Sequence, residues 1–486
     1  MGWKETVGPT LSKFPGVRRP QGHVSFRKKL AWTAGVLALY FFLTNISLFG
    51  LGQDPSNLYG QFGALLAAQQ GSVMQLGIGP IVTASIVLQL LSGADLLGLD
   101  TSNPRDQMIY QGLQKTLVVV MVFFTGIPMV FLGNFLPAGE VAGLGTFAVN
   151  CIIFAQIAAG GLLVLYMDEV VSKWGVGSGV GLFIIAGVSF SLISGLFYWE
   201  PGAGSQVGFF PYWINVALGN IEIGSVLGGA GLETLLLQQN VGLVALLTTV
   251  IIFTVVVYAE SVRIEIPLSH SQVKGARGRF PVKLIYASVL PMILVRALQA
   301  NVQFLGRLLN SQLTSMPAWL GQYDQNGNVV SGVFYYLAPI QSPQDWMWFA
   351  GTTGQEAWQV LLRVGIDLSV MVVGGAIFAV FWVETADMGP EATAQQIKNS
   401  GMQIPGFRKN TTVIEKVMER YIPQVTVIGG ALVGLLAVLA NMLGTIGGVS
   451  GTGLLLAISI TYKLYEEIAE EQLMEMHPMM REMFGG

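Results

Sequence analysis

Apolar residues run along this chain in long blocks, not at the intervals of a half-buried helix or an alternating strand. About 20 consecutive apolar residues are needed to span roughly 30 Å of hydrocarbon. Ten windows of that kind stand out: 30–50, 76–97, 116–136, 144–167, 176–198, 241–259, 283–306, 361–386, 424–443 and 447–465. The first ends without a small-residue cleavage pattern, so it reads as a retained span and not as a signal peptide. Residues 57–70 form a shorter apolar block that cannot cross. It fits either a re-entrant, cavity-filling helix or an external surface helix. Gly77, Gly79 and Pro80 then interrupt the backbone, which membrane proteins tolerate only where the freed polar groups meet protein or a water-filled cavity. Gly175, Gly177, Gly179 and Gly181 do the same ahead of the fifth window, and the glycines of 444–453 ahead of the tenth. Close passage of neighbouring, moving segments is expected there.

Composition agrees with a bilayer as the solvent. The chain is 52% hydrophobic and 11% charged, whereas about a quarter of a soluble protein is charged. Cys151 is the single cysteine, which excludes an internal disulfide, and inside the fourth window it is expected to be a buried apolar filler. His23, His270 and His477 lie singly outside the windows, leaving no material for a histidine metal site or an intramembrane base. The run Gly448-Val449-Ser450-Gly451 matches an intramembrane serine protease pattern but has no base to activate the serine. With no phosphate loop or zinc helix either, the chain reads as a passage and not as a catalyst, with no cofactor and no metal.

Charge fixes the orientation, because short translocated loops avoid Lys and Arg. Lys4, Lys13, Arg18, Arg19, Arg27, Lys28 and Lys29 precede the first span, so the N-terminus is expected in the cytoplasm. Counting ten spans outward, every one of the 25 basic residues except Arg296, Arg307 and Arg363 then falls on the cytoplasmic side. One span more or fewer would expose a basic loop. The predicted fold is all-α: a polytopic membrane protein with ten transmembrane helices in two inverted five-helix halves, an arrangement that puts a functional site at the interface near the midplane. The expected divisions are a cytoplasmic segment 1–29, a first half 30–198 and an external linker 199–240. A second half 241–465 follows, with cytoplasmic loops at about 260–283 and 387–423, and a cytoplasmic tail 466–486 closes the chain. Arg296 falls within span seven, where a charge is functional by default unless it snorkels to a wet surface. Arg363 and Asp367, at i and i+4, are expected to pair with each other. A secondary transporter would share inverted repeats and broken spans, but it needs polar groups at the midplane, where spans two, five and ten are mostly aliphatic.

Five stretches, taken in order, resemble the SecY family, the channel subunit of the Sec protein translocon, in its archaeal and eukaryotic form. They are LGIGPIVTASIVLQLL at 76–91, YMDEVVSKWGVGSGVGLFI at 166–184, VYAESVRIEIPLSH at 257–270, IPGFRK at 404–409 and GTGLLLAISI at 451–460. The resemblance implies two halves clamped around a central pore that opens sideways between spans 2/3 and 7/8. It implies a constricting ring formed by Ile78, Val82, Val180, Ile184, Ile293 and Leu456, and it favours the plug reading of 57–70. Flexible aliphatic side chains suit such a ring, since they bind no sequence in particular and a narrow apolar neck dewets. The resemblance further implies a plasma-membrane location, ribosome docking by loops around Arg277 and Arg408, partner subunits of the SecE and small beta/SecG types, and signal sequences and nascent polypeptides as cargo. Val289 stands where relatives often carry Asn, so a polar gate cluster with Thr83 is not expected from that position.

Overall fold

The computed structural model describes residues 15–22, 24–52, 63, 66–93, 96–99, 103–132, 135–139, 141, 143–199, 208–219, 242–270, 277–285, 290–313, 316–324, 329–350, 354–386, 388–399, 402–403 and 411–476. Among them are ten helices of fifteen residues or more. Five belong to the first half: α1 (Phe26–Thr44), α2 (Gly79–Gly93), α3 (Pro104–Ile127), α4 (Thr146–Trp174) and α5 (Gly179–Phe197). A short helix, α6 (Phe209–Ala217), lies in the expected linker and packs Phe209 against Ala245 and Ile446. The second half contains α7 (Leu243–Ser261), α8 (Leu290–Gln312), a one-turn α9 (Val333–Tyr336), α10 (Ala357–Thr385), α11 (Pro390–Asn399), α12 (Thr411–Leu443) and α13 (Gly451–Met476).

Among the described residues, six segments are long and apolar enough to cross a membrane by themselves: Arg105–Leu132, Thr146–Trp174, Gly179–Phe197, Leu243–Ser261, Ala357–Thr385 and Val413–Leu443. The other four long helices fall short for visible reasons. Helix α2 has only 15 residues, α1 opens on Arg27, Lys28 and Lys29, and α13 ends in a run of glutamates. Helix α8 carries Arg296, Gln299, Asn301, Gln303 and Arg307.

Several boundaries move from those expected. Helix α1 stops at Thr44, and the residues after it turn back to form isolated bridges, Ser47 with Ser72 and Leu51 with Ala138. Helix α12 begins at Thr411, well before 424, and runs through Pro423. Helix α8 is described from Leu290, and the start of the expected window at 283 falls on the end of a strand. There β1 (Arg263–His270) pairs antiparallel with β2 (Arg277–Lys283), and β5 (Met402–Gln403) joins the other edge of β1. A second, two-stranded sheet, β3 (Gln322–Tyr323) with β4 (Val329–Ser331), sits between α8 and α9. The alternation Arg-Ile-Glu-Ile-Pro-Leu from 263 to 268 carries the period of a strand, and Ile266 and Val282 enter a small core with Ala379, Val383, Ile397, Ile414 and Met418.

The basic groups on the described residues gather mainly at one end. Lys115 and Lys173 both pair with Glu169, at 2.7 and 2.5 Å. Lys115 also reaches the carbonyl of Pro15, Lys173 that of Val17, and Trp174 that of Arg18, which straps residues 15–18 across α3 and α4. Lys29 pairs with Glu471, and Arg263 and Lys283 with Glu466. Cys151 is exposed on α4 and does not fill the core as composition suggested.

Candidate functional site

Helices α2, α5, α8 and α13 contribute to one continuous apolar core. Within it Ile78, Ile184 and Leu456 are fully buried, Val82 and Ile293 nearly so, and Val180 packs against it half-buried. Ile78 and Val82 lie one turn apart, as do Val180 and Ile184, so each pair shares a helix face. Helix α5 starts cleanly at this point because the Ser178 hydroxyl accepts from the Gly181 amide at 3.2 Å, while Asp168 accepts from the Val180 amide at 2.9 Å.

The end of the short block at 57–70 touches this core directly. Residues 57–62 and 64–65 lie outside the described residues. Leu66 and Ala67, however, are buried in the core. The Leu66 carbonyl accepts from the Ile78 amide at 2.8 Å, and the Ala67 carbonyl accepts from the Tyr40 hydroxyl at 3.2 Å. Gly77 makes this approach feasible. Its φ is +51°, and a Cβ there would meet the Ala67 carbonyl carbon and the Ala68 nitrogen at 2.8 Å, so no other residue fits without displacing the segment.

Helix α2 faces two neighbours with two hydroxyls. Thr83 accepts from the Asn301 amide of α8 at 3.2 Å, and Ser85 accepts from the Gln114 amide of α3 at 3.3 Å. Each hydroxyl donates back to a carbonyl one turn earlier on α2, Gly79 or Ile81. A polar contact therefore does cross from α2 to α8, made by Asn301 and not from position 289, which lies outside the described residues. The chemical signal is an Asn amid apolar residues about three helical turns further along.

Behind α8 the polar groups are denser. Arg296 is fully buried and does not snorkel, and its partner is Asp367 of α10 at 3.1 Å. Asp367 thus does not pair with Arg363. Arg363 donates instead to the carbonyls of Ala338 and Pro339, both at 3.0 Å, and lies over the Tyr335 ring. The Arg296 guanidinium also donates to Gln299 at 2.7 Å and to Thr452 of α13 at 3.2 Å. Gln299 and the Ile340 amide donate to Asp367 at 2.9 and 3.2 Å. Thr452 in turn exchanges hydrogen bonds with Asn441 of α12, at 3.0 and 3.2 Å.

Of the two expected docking arginines, Arg277 opens strand β2, its backbone paired with Ser269, and Arg408 lies outside the described residues. The β1–β5 pairing nevertheless joins the loop that follows α7 to the loop that follows α11. Among the described residues no group of His, Cys, Asp and Glu could hold a metal ion.

The family model described as SecY matches residues 72–465. The chain is 70% identical, over the whole of both sequences, to the protein translocase subunit SecY of Halobacterium salinarum. It is similar in structure to a translocation channel, a SecY protein whose plug domain stabilises the closed state and maintains a membrane seal, with a TM-score of 0.78 at 35% identity, covering 97% of this chain and 98% of that one. A third likeness is to Sec61 in the canine ribosome-channel complex from the endoplasmic reticulum, with a TM-score of 0.76 at 35% identity and the same coverage.

Proposed function

Starting from the premise that this chain belongs to the SecY family, we propose that it is the central channel subunit of a protein translocon, with the apolar meeting point of α2, α5, α8 and α13 as its neck. Unfolded secretory polypeptides pass along the neck, and apolar segments leave sideways where α2 and α3 face α8 and α10. The observation that carries this reading is the bonding of Leu66 to Ile78, with Ala67 buried in the same core. A short segment following the first span ends against the aliphatic residues expected to close the pore, as a plug would.

The chemistry suits the task. Ile78, Val82, Val180, Ile184, Ile293 and Leu456 offer no hydrogen bonds to a passing chain, and an aliphatic neck dewets when it closes. At the side exit a segment sorts by its own transfer free energy, about −0.3 to −0.6 kcal/mol for a central Leu or Ile against about +2.5 to +3.5 for a charge. The sorting step needs no catalyst.

In this reading the end of the molecule holding Lys29, Lys115, Lys173, Arg263 and Lys283 faces the cytoplasm, with the N-terminus there, in the plasma membrane. The divisions at 30–198 and 241–465 are its two halves. The loops around Arg277 and Arg408 meet the ribosome, Arg being suited to phosphate by its bidentate fork. Support for this partner comes from the ribosome-bound state of the similar Sec61 channel and from the sheet that joins the two loops. SecE-type and beta/SecG-type subunits complete the assembly. An apolar groove of about 520 Å³ lined by Val188, Leu192, Phe253, Val257, Leu454 and Ile458 would suit an apolar helix of one of them.

The direct test is crosslinking from a secretory chain paused mid-translocation to photoreactive residues placed at the six neck positions. Adducts at positions 78, 82, 180, 184, 293 and 456, with none at lipid-facing controls such as Phe147 or Phe190, are expected. Adducts equally frequent at the controls would overturn the neck assignment.

A further inference from the structure

Neither the neck, the plug nor the docking loops account for the Arg296 cluster. A guanidinium with no exposure is costly to bury, and its Nη2 has no partner among the described residues. Apolar residues of similar volume often fill such a site with equal or greater stability, so stability alone is a poor reason for the cluster. What it supplies is connection. Arg296 is bonded at once to Asp367 on α10 and Thr452 on α13, and through Thr452 to Asn441 on α12.

Its position relative to the neck is specific. Ile293 precedes Arg296 by about one turn of α8, and Leu456 follows Thr452 by about one turn of α13. The Arg296–Thr452 bond therefore sits directly beside the two neck residues of the second half and links their helices. On the same helix, Asn301 makes the contact to Thr83 of α2.

We propose that Arg296 is a positioning residue that makes α8, α10, α12 and α13 move as one body, so that parting α8 from α2 at the Thr83–Asn301 seam draws Ile293 and Leu456 off the neck together. Side exit and axial pore are thereby coupled through one buried guanidinium. The inference rests on the channel reading above. With the cluster removed, α8 swings away from α2 without moving α13. The side exit then still opens, but the neck opens incompletely.

Two variants test this in the complete translocon, in native membranes. Arg296→Met with Asp367→Leu removes both charges together, and Thr452→Val, similar in shape, removes the hydroxyl that accepts from Arg296 and from Asn441 and leaves the ion pair in place. Each is assayed for membrane integration of a strongly apolar segment and for translocation of a soluble domain behind the same signal sequence. The expected result is integration at the wild-type level with translocation reduced by about fivefold, the factor equivalent to one hydrogen bond, in both variants. Integration and translocation falling in parallel with protein level, or neither falling in Thr452→Val, would reduce Arg296 to a structural residue. A wild-type protein that neither integrates nor translocates would overturn the channel reading and this inference with it.

Discussion

Toward α10 and α13, helix α8 presents a fully buried ion pair with hydrogen bonds to Gln299 and Thr452; toward α2 it presents Asn301, half-buried, to one hydroxyl. The second half is tight beyond α8 as well. Helices α10 and α12 cross where Gly375 and Gly430 meet, so closely that a Cβ on Gly430 would stand 2.6 Å from the Gly375 carbonyl oxygen. Breaking a buried charge pair leaves an uncompensated charge, whereas breaking one neutral hydrogen bond that water can replace costs about 1 kcal/mol. The side of α8 that holds and the side that yields are thus distinguished by chemistry on a single helix. A weak seam beside a strong joint is what a reversible opening requires.

The comparison breaks most sharply if one charge is taken alone. Arg296→Leu leaves Asp367 buried and unpaired, and about 3–5 kcal/mol of stability should be lost, with most of it recovered when Asp367→Leu is added. Thermal unfolding of the purified translocon in detergent measures both. Equal damage from the single and double variants would mean that packing, and not charge, sets the cost.

Gly430→Val attacks the tight side without touching charge. Its side chain must push α10 and α12 apart, at about 1–3 kcal/mol, so the unfolding temperature should fall while the strength of signal sequence required for passage stays unchanged. A relaxed signal requirement would place the moving seam between α10 and α12.

Gly77→Ala acts at the proposed neck. The residue would be held at positive φ against the segment that ends at Ala67, at about 1–2 kcal/mol of strain, and that segment should lift. Resting ion conductance in planar bilayers should rise, and an unaltered resting current would count against a plug seated there.

The smallest effect belongs to the seam. Thr83→Val removes the acceptor for Asn301, worth about 1 kcal/mol. Global stability should barely change, yet weakly apolar signal sequences should pass more readily in a translocation assay. If they pass no more readily, the Thr83–Asn301 contact is not what holds the exit closed.

How much of this was legible in the chain follows from what each kind of signal contains. Ten spans emerge from hydropathy because each span's transfer energy is a sum over its own residues, and the basic residues give a consistent orientation for the same reason. The partner of Arg296 does not emerge. It lies 71 residues away on the next span, while Arg363, four residues from Asp367, offers a nearer local alternative. Asn301 is plain in the sequence, but only the packing of α8 on α2 gives it Thr83. The β1–β2 hairpin is written in the alternation at 263–268, but its strands adjoin longer apolar windows that mask the period. The residues proposed for the neck are the opposite case. Their burial is shared with dozens of packing residues, so periodicity cannot select them.

The buried ion pair also dictates an order of manufacture. As described, helix α8 is less apolar than the six self-sufficient spans, and an unneutralised Arg near the middle of a span costs up to about 2.5–3.5 kcal/mol on the insertion scale. Asp367 is synthesised 71 residues after Arg296, roughly 4–14 s later at ~5–20 residues per second. Throughout that interval α8 must stay in contact with protein or water, and it can settle only when α10 arrives with its carboxylate. Nascent chains halted before and after residue 367 has left the ribosome should therefore differ, with the neighbouring position 297 accessible to a water-soluble thiol reagent, through Ala297→Cys in a Cys151→Ser background, in the shorter chain and shielded in the longer one. The last helices of this protein would then be assembled as a set, delivered late and together.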